Sequence, residues 1–424
     1  MKSFSKVLAK FSKVWMLALL CVLFLGVKAE AATGTVNGVK QTNHTYNAVL
    51  LEWKNATGDV NGYKGEWCKD TSFQGTTYGS STEPITKVEY AIQGLAAGSD
   101  YYVRVSAIDS NGELGTPSAP LQVVTAPIGK VAGLTQTKAE AKNISLGWKK
   151  FNKANCYLVA YKKVGSTAQA QVKTVTKTSY KIASKAADST FAVMVYPARK
   201  SKAGYVANAY GEDVAGAYMS TLPKKVTGVK MLYGGYGGNS QAGYVTFTWK
   251  PSGAADGYEY EIYGNNGKKI VKKAVKGYNQ KMLIKNSKLK NDQFMKIRVR
   301  GYVQVGKAKK YGPWSDATWF AKFVAKQKGA LVSNKASDGI RFSWAKTAGA
   351  KDYSVYLSRT ANGKYTKVAT TKGTSCVVKK LGGAPISTGY YYYYVVANKK
   401  VGKKVIQSDD TWYGSFRITT SYYY

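Results

Sequence analysis

Histidine and acidic residues are the scarce types in this chain. A single His and 23 Asp plus Glu stand among 424 residues, against 63 Lys plus Arg, giving a formal net charge of +40. The lone imidazole, His44, has no second imidazole for a His-based metal site, and so few carboxylates make acid–base pairs rare. Gly-x-Ser-x-Gly, His-Glu-x-x-His, Cys-x-x-Cys and Gly-x-x-x-x-Gly-Lys are all missing. The adjacent acids Asp409-Asp410 and Glu212-Asp213 fall on opposite faces of a strand, so neither pair forms a cooperating dyad. The turn-like run Asp109-Ser110-Asn111-Gly112-Glu113 lacks the later acids of a Ca²⁺ loop and reads as a hairpin. The expectation is a non-enzyme with no catalytic residue, no metal and no cofactor. Proline is also sparse, at 9, but 44% hydrophobic and 13% aromatic residues exclude a disordered basic tail.

Long apolar runs are missing except near the start. Lys2, Lys6, Lys10 and Lys13 precede an apolar stretch over 14–27, and Ala29-Glu30-Ala31 follows it, the order of a secretory signal peptide over 1–31. The stretch is shorter than the roughly 20 residues of a membrane span. Cys21 lies inside the run after Leu20, which disfavours a lipid-modified cysteine. The ending Thr420-Ser421-Tyr422-Tyr423-Tyr424 carries no sorting sequence. The expectation is an exported chain without a transmembrane anchor, secreted or held non-covalently on the cell envelope.

What is abundant is repetition. Trp53, Trp148, Trp249 and Trp344 each close a short apolar run, at intervals of 95, 101 and 95 residues. Gly38, Gly133 and Gly329 stand 15 residues before three of them; the counterpart Gly228 is displaced by an insert holding Gly234, Gly235, Gly237 and Gly238. Tyr63, Tyr157, Tyr258 and Tyr353 follow nine or ten residues after each Trp. Between these marks the pattern alternates with period two, as in 101–107 and 391–397, and Asn111-Gly112, Asn266-Gly267 and Asn362-Gly363 supply tight-turn signals. Short strands in units of about 95 residues predict small antiparallel sandwiches, each burying its Trp and Tyr between two sheets.

At these residues the chain resembles the fibronectin type III repeat. The resemblance rests on the Val-x-Gly openings (Val36, Val131 and Val226), the second-strand Trp, the third-strand Tyr, the late Tyr-x-Val-Arg-Val-x-Ala strand and the Gly-x-x-Ser exits at Gly115 and Gly312. The last two copies are similar to Lys-rich repeats of secreted and cell-envelope proteins of Gram-positive bacteria. The resemblance implies an all-β tandem array of four immunoglobulin-like sandwiches over 32–127, 128–222, 223–325 and 326–424. Copies two and three depart from the pattern at Phe191, Met194 and Met295, which removes the Tyr corner hydrogen bond from both. Copy one has an atypical middle over 64–86 containing Trp67, Cys68, Phe73 and Tyr78. Short linkers near Pro127, Pro223 and Lys326 imply a string of semi-rigid modules.

Beyond the signal segment each of Cys68, Cys156 and Cys376 is alone in its copy, so no copy closes an internal disulfide. Cys376, on an inward-facing strand position, is expected to be buried; Cys68 is expected to be exposed and is the one available for an intermolecular bond. His44 is expected in a surface loop.

Charge separates the copies. The net values are −3 for 32–127, +11 for 128–222, +15 for 223–325 and +13 for 326–424. The hairpin after each late strand follows the same split: Asp109 and Glu113 in copy one, but Arg199, Lys200 and Lys202 in copy two, Lys307, Lys309 and Lys310 in copy three, and Lys399, Lys400, Lys403 and Lys404 in copy four. Copy three adds Lys268, Lys269, Lys272, Lys273 and Lys276 along an expected edge strand, where lysines also guard against sheet-to-sheet aggregation. These basic residues are the candidate binding set for anionic polymers. The expected partners are anionic wall polymers, with copy one left for a protein partner; an adhesin for host sulfated glycans and an accessory module of a glycan-processing system are the alternatives. No nucleic-acid motif accompanies the charge. Alternation through Tyr390–Tyr394 assigns half of those rings to the core and leaves few for stacking on sugars.

Overall fold

The computed structural model describes residues 33–424 except 75–78, 203, 208–213, 233–242, 278–280, 411 and 420–424. The expected signal segment 1–31, Tyr78, the Glu212-Asp213 pair, the glycine insert at 234–238 and the ending from Thr420 lie outside the described residues. The architecture is all-β and antiparallel, with a single 3-10 turn at Ala336–Asp338 among the described residues.

The first sandwich runs through β1 (Asn37–His44), β2 (Val49–Lys54), β3 (Gly62–Cys68), β4 (Gly79–Ser80), β5 (Glu89–Ile92), β6 (Asp100–Ile108) and β7 (Leu121–Val124). One sheet has the order β1-β2-β5, the other β4-β3-β6-β7. Period-two alternation turns Val49, Leu51 and Trp53 of β2 towards Tyr101, Val103, Val105 and Ala107 of β6, and these residues form one buried cluster. Three further pairs of sheets repeat this plan. In each, a three-stranded sheet carries the Trp run, and a larger sheet is built on the Tyr strand and the long late strand: Cys156–Lys163 with Thr190–Ser201, Gly257–Gly264 with Phe294–Val305, and Asp352–Ser358 with Gly389–Val401. Each has its own buried cluster.

The Trp and Tyr of each sandwich meet in nearly one geometry. Ring centroids are 5.4 Å apart for Trp53–Tyr63, 5.3 Å for Trp148–Tyr157, 5.4 Å for Trp249–Tyr258 and 5.4 Å for Trp344–Tyr353, with interplanar angles of 54–71°. The phenol oxygen then accepts a backbone N–H from the loop after the Trp strand: Ala56 at 3.3 Å, Phe151 at 3.0 Å, Ser252 at 2.7 Å and Thr347 at 2.7 Å. The Tyr corner appears where expected. Tyr101 accepts from the Ala96 N–H at 3.0 Å and Tyr391 from that of Ser387 at 3.0 Å, whereas Phe191 and Met295 are simply buried.

The repeated glycine serves two purposes. Gly38, Gly133 and Gly228 adopt φ of +70, +69 and +68°, a conformation that disfavours a side chain; at Gly38 and Gly228 it accompanies a break in the first-strand register. Gly329 has ordinary φ and pairs regularly with Phe342; a Cβ there would lie 3.1 Å from that ring and 3.2 Å from Phe416. Of the turn glycines, Gly112 and Gly267 take positive φ, while Gly363 does not.

The described residues divide into two compact units. The first runs to Lys138 and includes Asn143–Ala183 and Thr190–Met219; the second comprises Ala139–Lys142, Ser184–Ser189 and the chain from Ser220. In the second unit sandwiches three and four are joined through backbone: Phe294 N–H donates to Ala348 O at 2.9 Å and Ala348 N–H to Asp292 O at 2.7 Å, and Phe294 is part of the core cluster of sandwich four.

Three expectations need correction. Cys68 is not exposed in an irregular segment: residues 64–68 continue β3, and Cys68 is its fully buried last residue, with Sγ 3.2 Å from Asp70 Oδ2. Alternation sends Tyr63 and Trp67 to the core and places Cys68 on the opposite face with Glu66, so its burial there is not a signal the strand pattern carries. His44 is not in a loop but closes β1, half-buried, and burial lowers its pKa against a backbone hydrogen bond at Ala207 that raises it. Cys376 is half-buried rather than enclosed, and burial pushes its thiol up.

Replacing Tyr258 with Phe keeps the ring contact and strands the Ser252 N–H. Loss of a buried acceptor costs about 1–3 kcal/mol, so Tyr258→Phe is expected to lower the denaturation midpoint of sandwich three and to speed amide exchange at Ser252; an unchanged midpoint would show that the phenol is dispensable.

Candidate anion-binding surface

The basic residues singled out by position do not share one role. Lys200 and Lys202 are exposed in the hairpin of sandwich two, as are Lys307, Lys309 and Lys310 in sandwich three and Lys400, Lys403 and Lys404 in sandwich four. Arg199 and Lys399, which hold the same register position, are instead anchored at seams within their units. Arg199 pairs with Asp100 of sandwich one. Lys399 donates to Asn265 Oδ1 at 2.9 Å and lies 4.4 Å from the centroid of the Trp319 ring; burial lowers its pKa. Both cations serve packing between neighbouring sandwiches.

The edge-strand lysines divide in the same way. Lys269 is the first residue of the edge strand Lys269–Lys276, beside Gly257–Gly264. Its Nζ lies 2.8 Å from Glu261 Oε1, and Lys272 Nζ is 3.5 Å from Glu259 Oε1. Those glutamates are buried and also meet Arg298 and Arg300 of the late strand, at 2.6 and 2.5 Å. Trp314 covers both guanidinium groups, with its centroid 4.4 Å from the Arg298 Cζ and 4.2 Å from the Arg300 Cζ. Burial alone would raise the Glu261 pKa, but hydrogen bonds from Lys269, Tyr263 and Arg298 outweigh it and hold the carboxyl at about 2. Lys268, Lys273 and Lys276 are exposed outside this network.

Sandwich two supplies the concavity that the hairpins lack. A cleft of about 870 Å³ brings Lys200 together with Lys177 and Lys181, over walls that include Thr137, Ser145, Thr174, Thr176, Ser179, Tyr180 and Tyr205. Its volume is that of a ligand site. No carboxylate lines it. Lys177 and Lys181 flank and occupy the strand Ser179–Ala183, so only folding brings them beside the hairpin. Their sequence signal, lysines at alternate or fourth positions around a strand, is too common to single out.

Sequence reasoning also missed Lys322. Its side chain is buried, burial lowers its pKa to about 8, and the charge of buried Asp409 acts in the opposite direction. Among the described residues no group of three or more His, Cys, Asp and Glu could hold a metal ion, and no helix is long and apolar enough to cross a membrane.

With this geometry in place, comparison with known proteins identifies the first sandwich. Residues 34–124 match the model of the fibronectin type III domain. The first sandwich is a fibronectin type III domain. Sandwiches two to four repeat its Trp–Tyr geometry and its antiparallel plan. The crystal structure of the FN1–FN3 domains of chicken CNTN1 is 17% identical, covering 68% of this chain and 99% of that one at a TM-score of 0.26. A segment of two fibronectin type III domains from chicken tenascin is 15% identical, covering 44% and 99%, at 0.24. No curated protein matches the chain significantly. Fibronectin type III domains commonly serve as binding or structural modules of cell-surface proteins, and tandem arrays of them are typically non-catalytic.

The depressed Glu261 carboxyl has a signed consequence. Its folded value of about 2 lies below the ordinary 4.5, so its stabilisation is present above about 4.5 and is lost as pH falls towards 2. Urea midpoints of sandwich three are expected to fall across this window, and to fall less steeply in Glu261→Gln. Equal slopes would show that the network contributes nothing to acid stability.

Proposed function

We propose that this fibronectin type III repeat protein is an exported, non-catalytic binding protein whose second to fourth repeats attach to an anionic polymer of the bacterial cell envelope. The observation that carries the reading is the cleft of sandwich two, where Lys177, Lys181 and Lys200 converge over hydroxyl-bearing walls without an acid among them. Backbone-linked anions such as phosphate or sulfate are the ligands such a cleft suits: the ammonium groups supply charge, and the hydroxyls supply hydrogen bonds. The exposed lysines at 307, 309 and 310 and at 400, 403 and 404 extend the positive field along repeats three and four. Lys269, Lys272, Arg199 and Lys399 contribute little to capture because their charges already have protein partners. The first repeat, at net −3, does not favour a polyanion and is free to serve a protein partner.

Phosphate-bearing wall polymers and sulfated host glycans share this chemistry and are separated by parallel columns of immobilised polyphosphate and heparin. The purified protein is expected to be retained at low salt and released well below 1 M, where the screening length is about 3 Å. The triple variant Lys177→Gln, Lys181→Gln, Lys200→Gln is expected to elute at lower salt on the preferred column. Retention unaffected by the triple substitution, or by 1 M salt, would contradict the reading.

A further inference from the structure

We infer that the outward face of the large sheet of sandwich four is a second binding site, built of tyrosine, for an acidic polysaccharide. It stands apart from the lysine cleft and uses different chemistry. The strand Gly389–Val401 alternates so that Tyr391 and Tyr393 enter the core, while Tyr392 and Tyr394 face outward. Tyr394 is paired across the sheet with Tyr356, their rings stacked at 4.8 Å and 19°, and Tyr365 lies against Tyr394 at 4.9 Å. The phenols of Tyr413 and Tyr392 sit near enough to Tyr365 that, after burial, their charges are what raise its pKa.

This cluster is particular to the fourth repeat. The register position of Tyr356 and Tyr394 holds Glu66 and Arg104 in the first repeat, Ala160 and Met194 in the second, and Glu261 and Arg298 in the third. Where it is an ion pair, a ring closes over it: Phe73 lies 4.4 Å from the Arg104 Cζ, and Trp314 covers Arg298. In the fourth repeat the position is instead part of a partly exposed group of phenols. Within the described residues the hydroxyls of Tyr356, Tyr392, Tyr394 and Tyr413 make no hydrogen bond, and none of them is sealed from solvent.

The geometry selects the ligand. Tyr356, Tyr365 and Tyr394 use ring faces on each other, so what they offer outward is ring edge and hydroxyl; the Tyr365 hydroxyl already donates to Ala361 O at 3.1 Å, while those of Tyr356 and Tyr394 are able to donate and accept. A nucleobase needs a free ring face; a sugar, with hydroxyls around its ring, matches an edge of phenols. The flanking charge is basic. Lys367 lies across from Tyr356, and Arg417 lies across from Tyr390 with its Cζ 5.3 Å from that ring. Asp410 is the one acid acting on Tyr394. In a repeat of net +13, this rim suits a polysaccharide bearing carboxylates.

The test uses the full chain, with polygalacturonate as the probe, polyphosphate as a polyanion without sugar rings, and an oligothymidylate. Tyr392→Phe with Tyr413→Phe removes two hydroxyls and keeps the rings; Tyr392→Ala with Tyr413→Ala removes both. Each pair is expected to weaken polygalacturonate binding roughly tenfold, as two lost hydrogen bonds imply, and to leave polyphosphate binding unchanged. If the Ala pair lowers the melting temperature, the Phe pair decides. Polygalacturonate binding that is absent in the parent protein or equal in all variants would overturn the inference, as would tyrosine dependence seen only with the oligothymidylate. Failure to bind polyphosphate would instead count against the lysine reading alone.

Discussion

The contact on which the rest of the structure depends is the steeply inclined meeting of one Trp ring and one Tyr ring inside each sandwich. Aromatic pairs of this kind contribute about 0.5–1.5 kcal/mol beyond the area they bury. Their larger effect is on geometry. The Trp belongs to the small sheet and the Tyr to the large one, so the pair sets the distance between layers, and the phenol then ties the loop that joins them. Centroid separations of 5.3–5.4 Å across four copies of dissimilar sequence show how little the inner layer varies.

Because the inner layer carries the fold, the outer face of the large sheet is released to vary. One cross-strand position illustrates this: an ion pair capped by Phe73, then Ala160 against Met194, then an ion pair capped by Trp314, then stacked tyrosines. Charge follows the same logic. Where a lysine or arginine meets a neighbouring sandwich, as at Arg199 and Lys399, it is spent on packing; where the hairpin projects, as at Lys200 and Lys400, it remains exposed. A net charge therefore overstates the binding surface, and the partner of each cation decides what it can do.

Much of the fold was legible in advance because it obeys local periodicities. The Trp and Tyr spacings located the strands, alternation assigned half of the Tyr390–Tyr394 rings to the core, and the substitutions at Phe191 and Met295 announced the missing corner hydrogen bonds. The site was less legible because it depends on contacts across the sheets. Lys177 and Lys181 reach Lys200 only after the sandwich closes. The glutamates that occupy Lys269 and Lys272 lie on a neighbouring strand. Cys68 was misplaced for a different reason: β3 runs on through 64–68, and the thiol is buried on the face of Glu66, opposite to the core residues Tyr63 and Trp67, where alternation alone predicts exposure.

The central claim is that the inner Trp–Tyr layer specifies the sandwich while the outer cross-strand pair specifies what it binds. Transplanting the outer pair tests this directly, by placing Tyr356→Glu with Tyr394→Arg, the arrangement of the first and third repeats, into the fourth. Hydrogen exchange of the inner strands and Trp344 fluorescence are the measurements. The account predicts native protection and an unshifted emission, with binding of acidic polysaccharide lost. Loss of protection throughout sandwich four would contradict it, because the outer pair would then be part of what makes the fold.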